Sequence, residues 1–166
     1  KASLDAKETS YTGNSGMMEL REAISHHFEQ RYGVHYDPKD EILVTVGVSE
    51  GLAMALLAIT EPGDEVIIQT PAYNCFFSSV RNSGLVLSEN ALKLVNGRWE
   101  IDFEDLEERA SREKARALLF CNPQNPTGRV WTRDELTRVA EICEKHGIFL
   151  ISDEIHGELT AEGFRY

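Results

Sequence analysis

The sequence predicts an α/β fold with three layers, in which helices cover both faces of a mostly parallel, doubly wound sheet. Short apolar and β-branched runs alternate with longer helical segments along the 166 residues. Hydrophobic residues make up 42% of the chain, which is enough to bury the core of an ordinary domain. Parallel strands that are buried on both faces appear as continuous apolar runs joined by helical crossovers. This alternation is the observation that predicts the fold class.

The N-terminal third predicts a helix followed by a strand. Leu20, Ile24 and Phe28 recur every four residues, so they fall on one face of an amphipathic helix. The run EILVTV at 41–46 predicts a strand, and GVSEG at 47–51 predicts a glycine turn that enters another helix. The alternation of strands and helices begins with this unit.

The rest of the chain repeats the alternation. The apolar content nearly all round residues 52–60 predicts a buried helix. Asp102 and Thr132 are typical N-caps and predict the starts of two later helices. An Asn96-Gly97 pair between extended runs predicts a tight turn. The remaining predicted elements are strands at 65–70, 115–121 and 148–153 and a helix between Pro71 and Gly84.

Charge and hydropathy exclude several classes of protein. A formal net charge of -11 argues against nucleic acid, because phosphate binding depends on Lys and Arg. No apolar stretch approaches the roughly 18 residues that span a bilayer, and the first ten residues lack a signal-peptide core. Cys75, Cys121 and Cys143 are widely spaced in apolar surroundings, which favours reduced packing thiols over a disulfide framework or a metal site. We therefore expect a soluble, cytoplasmic protein without a membrane partner.

Polar residues follow three of the predicted strands, and ligands of open parallel sheets bind beyond the strands' carboxyl ends. GVSEG at 47–51 opens a helix whose N-terminus favours an anion, although such a turn alone is usually structural. The loop CNPQNPTG at 121–128 projects Asn122 and Asn125 from a rigid backbone, with a plain surface turn as the alternative. Asp153 follows the run FLIS, where a buried carboxylate needs a cationic partner; an exposed acid or an N-cap is the alternative.

Taken in order, GVSEG, TPAY, NPQNPTG and SDEIH resemble the motifs of fold type I pyridoxal-phosphate enzymes, the superfamily of aspartate aminotransferase. The resemblance covers essentially the whole chain and implies the large domain of that fold. It implies an N-terminal interface segment and first helix at 1–35, part of the cofactor domain at 36–166, and no small domain. It also implies that the Schiff-base lysine lies beyond Tyr166, so no catalytic residue is expected here and the truncated chain alone should be inactive.

The resemblance also implies how the cofactor, pyridoxal 5'-phosphate, is held. The backbone N–H groups of Val48 and Ser49, with the Ser49 hydroxyl, would bind its phosphate. Tyr73 would stack on one face of the pyridine ring and Ile155 would pack on the other. In addition, Tyr11 resembles a tyrosine that reaches the phosphate of the neighbouring subunit, which implies a homodimer; a merely packed interface tyrosine is the alternative.

Three further residues would set the chemistry of the ring. Asn125 would donate to its phenolic oxygen, and Asp153 would pair with the pyridine nitrogen and keep it protonated. His156 falls where many aminotransferases carry a tyrosine, and the form SDEIH is that of the carbon-sulfur β-lyases.

Two parts of the chain resemble different subfamilies. From Tyr73 onward the sequence is most similar to carbon-sulfur lyases of the cystathionine β-lyase type, whereas the first seventy residues resemble aspartate-type aminotransferases. The resemblance thus implies an enzyme that acts on amino acids, a β-lyase or alternatively an aminotransferase. Two hypotheses of another class stay open. One is an inert folded scaffold, and the other is a Rossmann-like nucleotide binder, for which no GxGxxG follows a strand.

Overall fold

The computed structural model describes residues 1–7 and 10–159. The chain separates into two compact units, Lys1–Gly51 and Leu52–Tyr166. The helices are α1 (Ala2–Asp5), α2 (Met18–Tyr32), α3 (Val48–Ile59), α4 (Asn74–Asn82), α5 (Phe103–Ala110) and α6 (Arg133–His146). The strands are β1 (Glu65–Thr70), β2 (Val86–Ala91), β3 (Lys93–Val95), β4 (Arg98–Glu100), β5 (Ala115–Cys121) and β6 (Phe149–Asp153).

In the first unit, α2 forms as predicted but buries a different face. Leu20 is exposed, and Ile24 and Phe28 are only half-buried. The buried positions are Arg21 and Ser25, whose side chains donate to backbone carbonyl groups of the segment that follows the helix. This face therefore packs against polar backbone, which the spacing of apolar residues does not reveal.

The strand predicted at 41–46 does not form. A strand needs a hydrogen-bonded neighbour, and none of the strands in the described residues pairs with this segment. Val46 stays exposed, while the Val44 N–H donates to the Ser15 carbonyl at 3.1 Å. Gly16 has a φ of 89°, and a Cβ there would lie 2.6 Å from that of Val44, so the close approach requires glycine.

The second unit contains the sheet. Four parallel strands lie in the order β2-β1-β5-β6, and β3 and β4 form a separate antiparallel hairpin. Alternate residues of each strand face opposite layers. Ile67 packs with α5 and α6 on one face, whereas Val66 and Ile68 pack with α3 and α4 on the other. The prediction of three layers around a parallel sheet is confirmed.

The local signals for element ends are also confirmed. The Asp102 carboxylate accepts from the Asp105 N–H at the start of α5, and Thr132 forms a reciprocal capping box with Glu135 at the start of α6. Asn96 and the glycine after it have φ values of 51° and 79° and turn the β3–β4 hairpin. No helix in the described part of the chain is long and apolar enough to cross a membrane.

The winding of the sheet reverses between its two central strands. From β1 the chain leaves through α4 to β2, whereas from β5 it leaves through α6 in the opposite direction, to β6. Backbone pairing between β1 and β5 ends at Ile68 and Leu119, while the outer pairings continue to Thr70 and Cys121. The two central strands thus part at their carboxyl ends, at the topological switch point where doubly wound sheets bind ligands.

Candidate functional site

Three strand exits bring predicted site residues to this edge. Tyr73 follows β1 at the N-cap of α4, Asn125 lies in the loop after β5, and Asp153 ends β6. The Asn122 N–H donates to the Asp153 carbonyl at 3.1 Å, which joins the second exit to the third. The hydrogen bond with the Cys75 side chain raises the pKa of Tyr73, and the Asp153 carboxylate adds a smaller Coulombic effect. The charge of Asp153 therefore acts on the Tyr73 phenol.

Asp153 is a buried carboxylate with little internal compensation. The residue is 8% exposed, and its Oδ1 accepts a hydrogen bond from the Ile155 N–H at 3.1 Å. Among residues 1–7 and 10–159, no nitrogen of Lys, Arg or His lies within 4.0 Å of the carboxylate. The cationic partner expected from the sequence is thus not a described residue. Because an unpaired buried charge is costly, the site suits a cationic nitrogen supplied by a ligand.

The apolar groups around Asp153 are open to a planar ligand. Tyr73 is 42% exposed and Ile155 is 65% exposed. His156, the next residue along the chain, is half-buried. An exposed aromatic face and an exposed branched side chain next to a buried carboxylate fit a protonated pyridine ring, which combines apolar faces with a charged nitrogen.

The two asparagines of the β5–α6 loop have different surroundings. Asn122 is buried, and its Oδ1 accepts from the Trp131 N–H at 3.1 Å, so this side chain is used by the fold. Asn125 is half-buried, and its side-chain amide makes no hydrogen bond to the rest of the described chain. Asn125 is therefore the one that can donate to a ligand.

Two thiols border the site. Cys75 is half-buried and is hydrogen-bonded to the Tyr73 hydroxyl. Burial raises the pKa of Cys121, and the Asp153 carboxylate raises it further. A hydrogen bond from the backbone N–H of Asn125 opposes these effects. Within the described residues, neither of these cysteines forms a disulfide bond, and neither does Cys143. Sequence reasoning treated Cys75 as a packing residue only, and its contact with Tyr73 could have been suspected from their spacing at a helix start.

Gln124 is a second residue that the sequence did not single out. It is 3% exposed, and its Nε2 donates to the Pro71 carbonyl of the β1 exit at 2.8 Å. Its Oε1 accepts from the backbone N–H and the hydroxyl of Thr127. Its place between two Asn-Pro pairs directly after a buried strand was the available signal.

The residues predicted to bind phosphate lie in the first unit. Gly47 has a φ of 90°, and α3 begins at Val48, so that Val48 and Ser49 are exposed at the helix N-terminus. The Val46 N–H donates to the Glu50 carboxylate at 2.6 Å, which fixes the entry to the helix. The helix N-terminus thus forms where the sequence predicted it, and phosphate binding there stays a prediction.

Tyr11 also belongs to the first unit and is fully exposed. An exposed tyrosine is available to a partner subunit, but the homodimer role stays a prediction. Within the described residues, no group of His, Cys, Asp and Glu side chains is arranged to hold a metal ion.

The entire chain, residues 1–166, matches the model of the family Aminotransferase class I and II. The chain belongs to this family. It is 38% identical over 146 residues to the cystathionine β-lyase PatB of Bacillus subtilis, covering 88% of this chain and 38% of PatB. It is 39% identical over 160 residues to the putative aminotransferase YugH of the same organism, covering 95% of this chain and 40% of YugH. The family member described here thus spans about two fifths of the length of these relatives.

Solved structures support the same fold. N-succinyldiaminopimelate aminotransferase from Mycobacterium tuberculosis superposes with a TM-score of 0.93 at 33% identity, over 99% of this chain and 43% of its own. Cystalysin from Treponema denticola, whose structure contains pyridoxal 5'-phosphate, gives 0.86 at 34% identity, over 98% and 41%. The resemblance to fold type I pyridoxal-phosphate enzymes is confirmed. Pyridoxal 5'-phosphate is likewise confirmed as the cofactor of this family. Both lyases and aminotransferases occur among the relatives.

Proposed function

We propose that this chain is the pyridoxal-phosphate-binding part of an enzyme that acts on amino acids. The observation that carries the proposal is Asp153, a buried carboxylate at the sheet's switch point with no cationic partner among the described residues. When bound, the cofactor supplies an electron-accepting ring whose nitrogen must stay protonated. The Asp153 carboxylate keeps that nitrogen protonated, because a nearby negative charge favours the cationic form of the nitrogen.

The neighbouring residues orient the ring. Tyr73 stacks on one face and Ile155 packs on the other, and both are exposed enough to be covered by a ligand. The Asn125 amide would donate to the phenolic oxygen, so that this contact and the Asp153 contact would together orient the ring. The backbone N–H groups of Val48 and Ser49 hold the phosphate at the start of α3, and Tyr11 completes the phosphate site of the partner in a homodimer.

Within this class, the carbon-sulfur β-lyase reaction of the cystathionine β-lyase type is our preferred activity. The support is His156 in SDEIH and the likeness to PatB across 88% of the chain. Aminotransferase activity is the second candidate, supported by the 39% identity to YugH over 95% of the chain. The two differ in product: a lyase converts cystathionine and water into a thiol, pyruvate and ammonia, whereas an aminotransferase moves the amino group of one amino acid to a 2-oxo acid.

The first test is a titration of the purified chain with pyridoxal 5'-phosphate, followed by absorbance and fluorescence. Pyridoxal, which lacks the phosphate, is the matched ligand control. Saturable binding that depends on the phosphate and leaves no borohydride-trapped lysine adduct is the expected result. Failure of the cofactor to bind would instead support the inert-scaffold hypothesis. Thiol release from cystathionine, compared with formation of an amino acid from a 2-oxo acid, then distinguishes lyase from aminotransferase.

A further inference from the structure

A side-chain hydrogen bond crosses the gap between β1 and β5 beyond their paired residues. Their backbone pairing ends at Ile68 and Leu119. Beyond this point the Gln124 Nε2 donates to the Pro71 carbonyl at 2.8 Å, a contact between residues 53 positions apart. We propose that Gln124 is a positioning residue that fixes the spacing between Tyr73 and Asn125, and thereby the width of the proposed ring site. This inference rests on the proposed function.

All polar groups of Gln124 are engaged, and they divide into two sets. The side-chain Oε1 and the backbone of Gln124 hold its own loop. Oε1 accepts from the Thr127 N–H at 2.9 Å and the Thr127 hydroxyl at 2.5 Å, the Gln124 N–H donates to the Arg129 carbonyl, and the Gly128 N–H donates to the Gln124 carbonyl. Only Nε2 leaves the loop and reaches the β1 exit. The loop is therefore rigid by itself, and Nε2 sets its distance from the opposite wall.

The two ends of this bridge adjoin the residues that would contact the ring. Pro71 lies two positions before Tyr73, and Asn125 follows Gln124 directly. Gln124 is 3% exposed, so water cannot readily replace the bond if the donor is lost. A change at Nε2 should consequently move Tyr73 and Asn125 relative to each other while the internal bonds of the loop persist.

The sharpest variant is Gln124→Glu, which preserves the shape and an oxygen acceptor for Thr127 but removes the Nε2 donor. Gln69→Glu is the matched control, because Gln69 is 4% exposed on β1 and its Nε2 donates to Asn90 rather than across the gap. Gln124→Asn serves as a second variant in case the new charge prevents folding. It keeps the amide but shortens its reach by one methylene.

Hydrogen–deuterium exchange of the unliganded protein gives the deciding readout. We expect Gln124→Glu and Gln124→Asn to raise exchange at residues 71–76 by roughly tenfold, the equivalent of one lost hydrogen bond. Gln69→Glu should leave that segment unchanged. Unchanged exchange at 71–76 in a folded Gln124 variant, or an equal increase in Gln69→Glu, overturns the proposal. Because no cofactor is present, this result stands whether or not the chain binds pyridoxal phosphate.

The pH provides a specific rescue. Below its pKa, the carboxyl introduced by Gln124→Glu carries an O–H that can donate to the Pro71 carbonyl; above it, no donor remains. The excess of exchange at residues 71–76 over wild type should therefore shrink as the pH is lowered from 8 to 5. Over the same range, the dissociation constant of pyridoxal 5'-phosphate, raised roughly tenfold at pH 8, should approach the wild-type value. A pH-independent excess contradicts the bridge, whereas failure of the wild-type chain to bind the cofactor counts only against the proposed function.

Discussion

The carboxylate of Asp153 accepts a hydrogen bond from the backbone N–H of Ile155, with 3.1 Å between Oδ1 and the nitrogen. The bond orients the carboxylate at the end of β6 and leaves Oδ2 for another donor. Asp153 thus combines a structural contact, which needs only an oxygen, with a charge that the described residues do not neutralise. The two contributions can be separated by substitution.

Replacing Asp153 with Asn should weaken cofactor binding without unfolding the protein. The amide oxygen can still accept from Ile155, but it carries no charge to hold a protonated ring nitrogen. We expect the dissociation constant of pyridoxal 5'-phosphate to rise about 10- to 100-fold, the range for a hydrogen bond to a charged group, with a nearly unchanged melting temperature. Asp134→Asn, an exposed acid in the first turn of α6, is the control. Wild-type affinity in Asp153→Asn would remove the basis of the proposed function.

The two asparagines of the β5–α6 loop should respond oppositely to alanine. Asn122→Ala leaves the buried Trp131 N–H without its acceptor, so the free energy of unfolding should fall by about 1–3 kcal/mol. Asn125→Ala loses no hydrogen bond of its side chain within the described protein and should unfold like wild type, but should bind the cofactor less tightly. Urea denaturation and a cofactor titration of both variants provide the comparison. Equal stabilities would refute the assignment of Asn122 to the fold.

Features that depend on neighbouring residues were predictable from the sequence. The capping box of Thr132 and Glu135 is set within one helical turn, and the hairpin at Asn96 needs only a pair that tolerates positive φ. Asp153 could be placed at the sheet edge because the apolar run FLIS predicted where a strand ends, although Phe149 and Leu150 of that strand are exposed. The order of such exits along the chain was enough to identify the family.

Features that depend on distant partners were not predictable. The segment 41–46 has the composition of a strand, yet a strand forms only beside another strand. Burial of Arg21 depends on backbone carbonyl groups that follow α2, which carry no pattern in the sequence. The contact between Gln124 and Pro71 joins two loops 53 positions apart, and only the winding of the sheet brings them together.

The three thiols should differ in reactivity. Burial raises the pKa of Cys121 and raises that of Cys143 to about 11, and the thiolate is the reactive form. A chromogenic disulfide reagent at pH 8 should therefore label the half-buried Cys75 first and the other two only as the protein unfolds. Cofactor binding should slow the first phase, because Cys75 is hydrogen-bonded to Tyr73. Cys75→Ser must abolish that phase; its persistence would show that another thiol is the accessible one.

The stability of the protein should fall in acid through Asp105. The hydrogen bond from Arg109, at 2.6 Å, holds the pKa of Asp105 below its ordinary value, and a bond from Asn90 acts in the same direction. A carboxyl whose pKa is lowered by folding stabilises the native state at pH values above its pKa in the unfolded chain, which is about 3.9. This contribution is lost as the pH falls through the pKa of the folded state. Asp105→Asn should thus cost about 1–3 kcal/mol at pH 7, and its deficit relative to wild type should shrink below pH 4. Urea denaturation between pH 7 and pH 3 measures this, with Glu104→Gln, an exposed acid in the same helix turn, as the control. A deficit that stays constant over this range would show that the charge of Asp105 is not what stabilises the fold.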